Sequence, residues 1–199
     1  MSLASTILKE LGTDGLSTIA GNLGVDKKGA KSAVTTAVTV LTGAMAVNAS
    51  KPEGAQALDK ALARDHDGSI FSNLGGLLAS FGGAGDGAAI LGHVLGGAQP
   101  QVQQQIAQKS GLSLDKVLPL LITIAPLVMG ALGKLKKTKK LDATDVAGTL
   151  AKETKAAQKK DSNDLLGSVL DMLGGAPATS GGGLGGLLGS LGGLFKKKS

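Results

Sequence analysis

Apolar residues along this chain recur at the three- and four-residue spacing of helices, and no stretch alternates with the period of two expected of strands. The longest apolar run is 112–133. From Val117 to Gly133 it carries no charge, and its apolar residues face every direction of a 3.6-residue helix. Such a helix must be enclosed by protein or lie in lipid. The pattern therefore predicts an all-α protein organised around this segment.

The apolar run is more typical of a buried core helix than of a membrane span. It falls short of the roughly 20 apolar residues that a span needs. Pro119 and Pro126 each remove a helical hydrogen bond, and their bends should add because they lie on nearly one face. We therefore expect a multihelical bundle around a buried, Pro-kinked central helix at about 112–133, with Ser113 as its cap and Gly133 at its end.

Capping residues and apolar periodicity place the other helices. Asp26 should cap a long helix with one buried face, and Pro52 suits the first turn of the next helix, whose expected buried residues are Ala57, Leu58, Ala61 and Leu62. Asp142 or Thr144 should cap a later amphipathic helix. The predicted helices outside the central one span residues 2–11, 14–23, 27–49, 53–64, 70–81, 88–95, 99–109, 141–158 and 163–173.

Composition changes abruptly after residue 173. Residues 174–183 are rich in glycine and typical of a flexible linker, and residues 184–195 contain only Leu, Gly, Ser and Phe. Three lysines, 196–198, follow. We expect a helical domain over 1–173 and a flexible, Gly/Leu-rich C-terminal tail over 174–199.

The tail has a helical pattern despite its simple composition. Leucine and phenylalanine recur at i, i+3, i+4 and i+7, and glycine recurs every four residues. So many glycines disfavour a helix in water, which leaves a disordered low-complexity tail as the alternative. We expect the tail to become helical against a second copy, another protein or an anionic membrane surface. The candidate interaction residues are Leu184, Gly185, Leu188, Gly189, Leu191, Gly193 and Phe195.

The net charge of +6 belongs to one segment, because residues 1–133 sum to zero and residues 134–160 carry nine lysines against three acids. The candidate basic patch is Lys134, Lys136, Lys137, Lys139 and Lys140. These lysines could hold phosphates. The segment lacks aromatic residues, and the chain has a single arginine, so we expect no specific nucleic-acid binding. A solvated charge run at a helix end is the simpler interpretation.

No residue pattern points to catalysis. Asp65–Ile70 resembles the middle of a calcium-binding loop but lacks two charged ligands, so a helix stop and restart is the simpler interpretation. His66 and His93 have too few neighbouring ligands for a metal site, and His93 is expected to hydrogen-bond to backbone. Gly92 should make room for a crossing helix. We predict no catalytic, cofactor or metal residues.

Two features of the sequence bear on the cellular compartment of the protein. The chain has no cysteine, which excludes disulfides and thiolate metal sites but leaves the redox environment open. Its first residues lack the basic and apolar regions of a secretory signal, so a cytoplasmic location is expected, with peripheral membrane attachment through the tail as the alternative.

Five segments in order resemble the YidB-like bacterial family of unknown function. The resemblance spans roughly residues 30–175 and implies a compact helical domain from a bacterial source, without established catalytic residues. The segments that carry it are Gly54–Leu58, His66–Ser69, Asn73–Leu77, Ile90–Gly97 and Leu127–Gly133.

These observations favour a non-enzymatic helical interaction or assembly module that associates with protein, including itself. The first alternative is a peripheral membrane-surface protein that uses its tail. A weaker alternative is an enzyme whose site has no recognisable motif.

Overall fold

The computed structural model describes residues 2–83, 86–159 and 165–174, and every regular element within those ranges is helical. Two short 3₁₀ helices, Ser69–Asn73 and Gly96–Ala98, join longer ones. The predicted all-α bundle is confirmed. Its α-helices are α1 (Leu3–Leu23), α2 (Lys27–Asn48), α3 (Pro52–Arg64), α4 (Leu74–Ala79), α5 (Asp86–Leu95), α6 (Gln99–Ser110), α7 (Leu114–Lys139), α8 (Ala143–Gln158) and α9 (Leu165–Gly174).

The predicted central helix is α7, and it is buried as expected. Residues 123–133 of α7 are all buried, and Val128 is fully enclosed. Helices α1, α2, α3, α5 and α6 pack around it. The second organising element is α2, which contacts α1, α7, α8 and α9. Enclosure by other helices explains how α7 can be apolar on all sides.

The central helix does not end at Gly133, contrary to the sequence-based expectation. It continues through the lysines to Lys139 and ends at Lys140, whose backbone is left-handed (φ 53°). Lysine is a good helix former, and its charge suits the negative C-terminal end of a helix. Gly133 instead lets the backbone of His66 pack directly on α7. Ser113 begins the helix without a side-chain capping hydrogen bond.

The helix runs through both prolines, and its neighbours use the space beside them. Gly82 packs against the Pro119 ring, and its N–H donates to the Thr123 hydroxyl at 3.0 Å. Because Pro126 has no N–H, the Ile122 carbonyl lacks its helical donor, and Gly87 of α5 packs against that oxygen. The absence of a Cβ at residues 82 and 87 therefore lets the chain approach α7 closely.

Several predicted helix boundaries are confirmed. The Asp26 carboxylate accepts the Gly29 N–H at 2.7 Å, Pro52 opens α3, and Asp142 forms a reciprocal capping box with Asp145. The two short helices predicted before Gly24 join end to end at Gly12, where φ of 60° breaks the helical geometry. The helix expected over 70–81 starts instead as a 3₁₀ turn and ends at Ala79.

Candidate interaction cleft

An open cleft of about 540 Å³ lies between α3 and α5. The two walls rest on a shared core, because α3 and α5 both pack on α7. Most lining residues are apolar. The walls are formed by Ala57, Leu58 and Ala61 of α3 and by Ala89, Ile90 and Val94 of α5. The floor is formed by Met45 of α2, by Ala49, which follows α2, and by Met129 of α7.

The cleft exists because α3 has a wider apolar face than its neighbours cover. The sequence predicts that Ala57, Leu58, Ala61 and Leu62 are buried, but only Leu62 is fully enclosed. Leu58 and Ala61 are half-buried, and Ala57 is exposed, so the prediction for Ala57 is wrong. Ala55 is the second buried residue of α3, so the buried face is centred on Ala55 and Leu62 rather than on the expected set. An apolar strip of α3 is consequently left open to solvent.

Asn48 lies at the base of the cleft. Its side-chain amide donates to the Val94 carbonyl at 3.0 Å and to the His93 carbonyl at 3.3 Å, which ties the end of α2 to the end of α5. The Asn48 backbone carbonyl packs against Gly54 of α3, where a Cβ would collide with it. One residue therefore fixes both walls relative to the floor.

One rim of the cleft is the turn that follows α3. The Arg64 guanidinium pairs with Asp65 at 2.8 Å, which raises the pKa of Arg64 and lowers the pKa of Asp65. The Asp67 carboxylate accepts the Ser69 N–H at 3.0 Å, and hydrogen bonds from Ser69 lower the pKa of Asp67, with a smaller contribution from Lys137. A 3₁₀ helix begins directly after this turn, as the helix stop-and-restart interpretation predicts.

Both histidines line the cleft, a convergence that sequence reasoning missed. His66 lies on the turn after α3 and His93 on α5, and the side chain of His93 is exposed rather than enclosed. Residues 27 positions apart come together only through the packing of α3 and α5 on α7. Within the described ranges, no three His, Asp or Glu side chains gather into a group able to hold a metal ion.

Gly92 does not contact a crossing helix, contrary to expectation. A Cβ built at Gly92 would meet no atom within 4 Å, because the residue faces solvent. The glycines that permit close packing near the cleft are Gly54, Gly87, Gly130 and Gly133. These glycines allow close packing because other parts of the chain lie against them. The four-residue spacing of small residues around Gly92 does not predict which glycines have such a neighbour.

The first three lysines of the basic patch form ion pairs with other parts of the bundle. Lys134 pairs with Glu10 at 2.7 Å, Lys136 with Asp59 at 2.6 Å, and Lys137 with Asp67 at 3.7 Å. These pairs connect α7 to α1, to α3 and to the turn after α3. Lys139 and Lys140 are exposed at the end of α7. Lys134 and Lys137 are exposed as well, so a phosphate-binding surface could include four of the five lysines.

A smaller cavity of about 360 Å³ lies between α1, α2 and α8, away from the cleft. Threonines 35, 36, 39, 42 and 154 contribute to its lining. The Thr42 hydroxyl is buried and has no hydrogen-bond partner in the described part of the chain, whereas the Thr154 hydroxyl donates to the Leu150 carbonyl at 2.8 Å. The candidate tail residues, over 184–195, lie outside the described residues.

Two described helices, α2 and α7, are long and apolar enough to cross a membrane by length and composition alone. In the bundle, 67% and 78% of their most apolar stretches are buried. Core helices of a water-soluble bundle pass the same test, so this property does not assign a compartment.

The fold defines a class, the all-α bundle built around an enclosed, proline-containing helix. The family model for bacterial proteins of unknown function, DUF937, matches residues 5–135. The chain belongs to this family, and the YidB-like resemblance is confirmed because YidB-like proteins are members of it. No curated protein and no solved structure matches the chain.

The family match covers α1 to the penultimate turn of α7 and includes every residue that lines the cleft. Four of the five segments that carry the resemblance contribute lining residues, among them Leu58, His66, His93 and Met129. Helices α8 and α9 follow the matched region. They pack mainly on α2 and α3, outside the cleft.

Proposed function

We propose that this protein is a non-enzymatic helical interaction module that self-associates by binding an amphipathic helix in the cleft between α3 and α5. The observation that carries the proposal is an open apolar cleft with small side chains on both walls. Grooves of this kind bind helices through apolar anchors at i, i+3, i+4 and i+7.

The wall chemistry suits a helix better than a small polar substrate. Ala57 and Ala89 are both exposed, and alanine lets a helix backbone approach closely. The floor residues Met45 and Met129 are flexible and polarisable, so they can adapt to leucine or phenylalanine side chains. Charged side chains are confined to Arg64, Asp65 and Asp86 at the rim.

The electrostatics of the cleft also favour binding over catalysis. Catalytic groups are typically tuned by burial beside a charged partner. Among the described residues that line the cleft, the groups with shifted pKa values are Arg64 and Asp65, which are exposed and shifted by the hydrogen bond and ion pair between them. The weaker alternative, an enzyme whose site has no recognisable motif, gains one supporting feature, the two histidines that line the same cleft.

Charge added to the cleft should prevent assembly without unfolding the bundle. The double variant Ala57→Glu/Ala89→Glu places a carboxylate on each wall at positions that are exposed in the isolated chain. Binding an apolar face there would bury two unpaired charges, so we expect the solution mass measured by light scattering to fall to that of the monomer. Circular dichroism should show an unchanged helical spectrum.

The chain offers a matched control on the same two helices. Ala63 and Ala88 are exposed and do not line the cleft, so Ala63→Glu/Ala88→Glu adds the same charge to the outer faces. The control should assemble like the wild type. Loss of assembly in both variants would indicate a general charge effect, and retention of assembly in both would contradict the proposal.

A further inference from the structure

The C-terminal tail carries the residue pattern that the cleft would accept. Residues 184, 187, 188, 191 and 195 are leucine or phenylalanine and fall on one face of a helix. We propose that residues 184–195 of a second copy of this chain occupy the cleft between α3 and α5. This inference rests on the proposed function and names its partner.

Size and shape support this occupant. Leucine side chains at i, i+3, i+4 and i+7 match a groove with apolar walls and a methionine floor. Gly185 lies at the edge of this apolar face, and a helix with glycine at its edge can lie close to the alanines of the walls. In the described part of the protein the one large exposed apolar side chain is Leu114, which lies outside the cleft.

The rim of the cleft and the segment that follows the proposed occupant carry charges of opposite sign. The rim of the cleft carries Asp65, Asp86 and Arg64, and because Arg64 is paired with Asp65, the rim has an excess of one acid, Asp86. The proposed occupant is followed directly by Lys196–Lys198. A tail helix seated in the cleft would place these lysines near an acidic rim, which favours association and fixes the direction of the helix.

The length of the linker favours a second copy over the chain's own cleft. Leu166 and Leu170 of α9 pack at Gly43 of α2, whereas Met45, which lines the cleft, lies about 200° around the helix from Gly43. Residues 175–183 span at most about 32 Å when extended. Because α9 and the cleft lie on opposite faces of α2, the chain's own tail would have to pass around the intervening helices before it could enter the cleft.

The tail of one copy does not have to pass around its own bundle in order to reach the cleft of a neighbouring copy. Two copies that exchange tails would make the same contact twice, which produces a closed, symmetric dimer. Each cleft then holds one tail, and no apolar cleft remains open.

Disulfide trapping between separately prepared single-cysteine variants tests this contact. The chain has no native cysteine, so each introduced thiol is unique. Ala89→Cys lies in the cleft wall and Leu188→Cys in the proposed occupant. After the two 199-residue proteins are mixed in a glutathione redox buffer, we expect a disulfide-linked heterodimer on a non-reducing gel.

Ala88→Cys is the matched control, because it is exposed on the outer face of the same helix. We expect at least tenfold more heterodimer from Ala89→Cys than from Ala88→Cys when each is mixed with Leu188→Cys. Equal trapping at both positions would overturn the assignment of the occupant.

The double variant Ala89→Cys/Leu188→Cys distinguishes the two sources of the tail. Disulfide-linked dimers support a second copy, and an internal disulfide in a monomer would overturn it. If the glutamates at residues 57 and 89 abolish assembly while Leu188→Cys shows no preference for Ala89→Cys, the tail is not the occupant. The proposed function would stand in that case.

Discussion

At the scale of single residues, glycine has two different roles in this protein. Gly130 and Gly133 of α7 lie where Ile70 and the His66 backbone pack against the helix, so a Cβ there would collide with them. Gly92 faces solvent, and a Cβ there would meet nothing. The first two are required by packing, whereas Gly92 only lowers the stability of its helix.

Alanine substitutions should separate these roles. Gly133→Ala should lower the free energy of unfolding by about 1–3 kcal/mol, because the new methyl group forces the His66 turn away from α7. Gly92→Ala should raise it by about 0.5–1 kcal/mol through helix propensity alone. Urea unfolding followed by circular dichroism measures both changes. Similar effects of the two substitutions would show that the turn does not pack on α7 as described.

At the scale of helices, local signals predicted most elements and tertiary packing decided the rest. Asp26, Pro52 and Asp142 mark helix starts by chemistry that acts within a few residues, so they could be identified from sequence. The extension of α7 beyond Gly133 could not be predicted from sequence, because a glycine at such a position can either end a helix or permit close packing. Which role applies depends on the distant His66 turn.

The candidate site was the least predictable feature for the same reason. Ala57 belongs to a regular apolar face of α3. The sequence of α3 alone does not show that the neighbouring helices leave part of this face uncovered. The meeting of His66 and His93 in one cleft likewise depends on the packing of α3 and α5. Four of the five patch lysines are exposed, as a solvated charge run predicts, and the half-buried Lys136 is the exception.

The ion pair between Lys136 and Asp59 is the strongest of those that the patch lysines form. Their side chains are only 19% and 26% exposed, and the Lys136 ammonium also donates to the Leu141 carbonyl at 3.1 Å. Lys136→Met keeps the apolar stem but leaves Asp59 unpaired, so we expect a loss of about 1–2 kcal/mol in unfolding free energy. Lys139→Met, at an exposed position, should change it by less than about 0.5 kcal/mol. Equal melting temperatures for the two variants would contradict a structural role for Lys136.

At the scale of the whole molecule, the bundle combines a closed core with one open apolar cleft. The core is complete around α7, so the cleft is a feature of the surface. The self-association that we propose through this cleft would account for the exposed alanines on both walls and for the leucine pattern in the tail. The alternative use of the tail, at an anionic membrane, predicts vesicle binding that falls with salt and does not depend on the cleft.

The measurement that tests self-association most directly is sedimentation equilibrium of the 199-residue chain over a wide concentration range, at low and high salt. We expect the mass to rise with concentration from 19.6 kDa to twice that value. The association should persist at high salt, because apolar contacts rather than exposed charges supply most of its free energy. A constant mass of 19.6 kDa at every concentration would contradict the account.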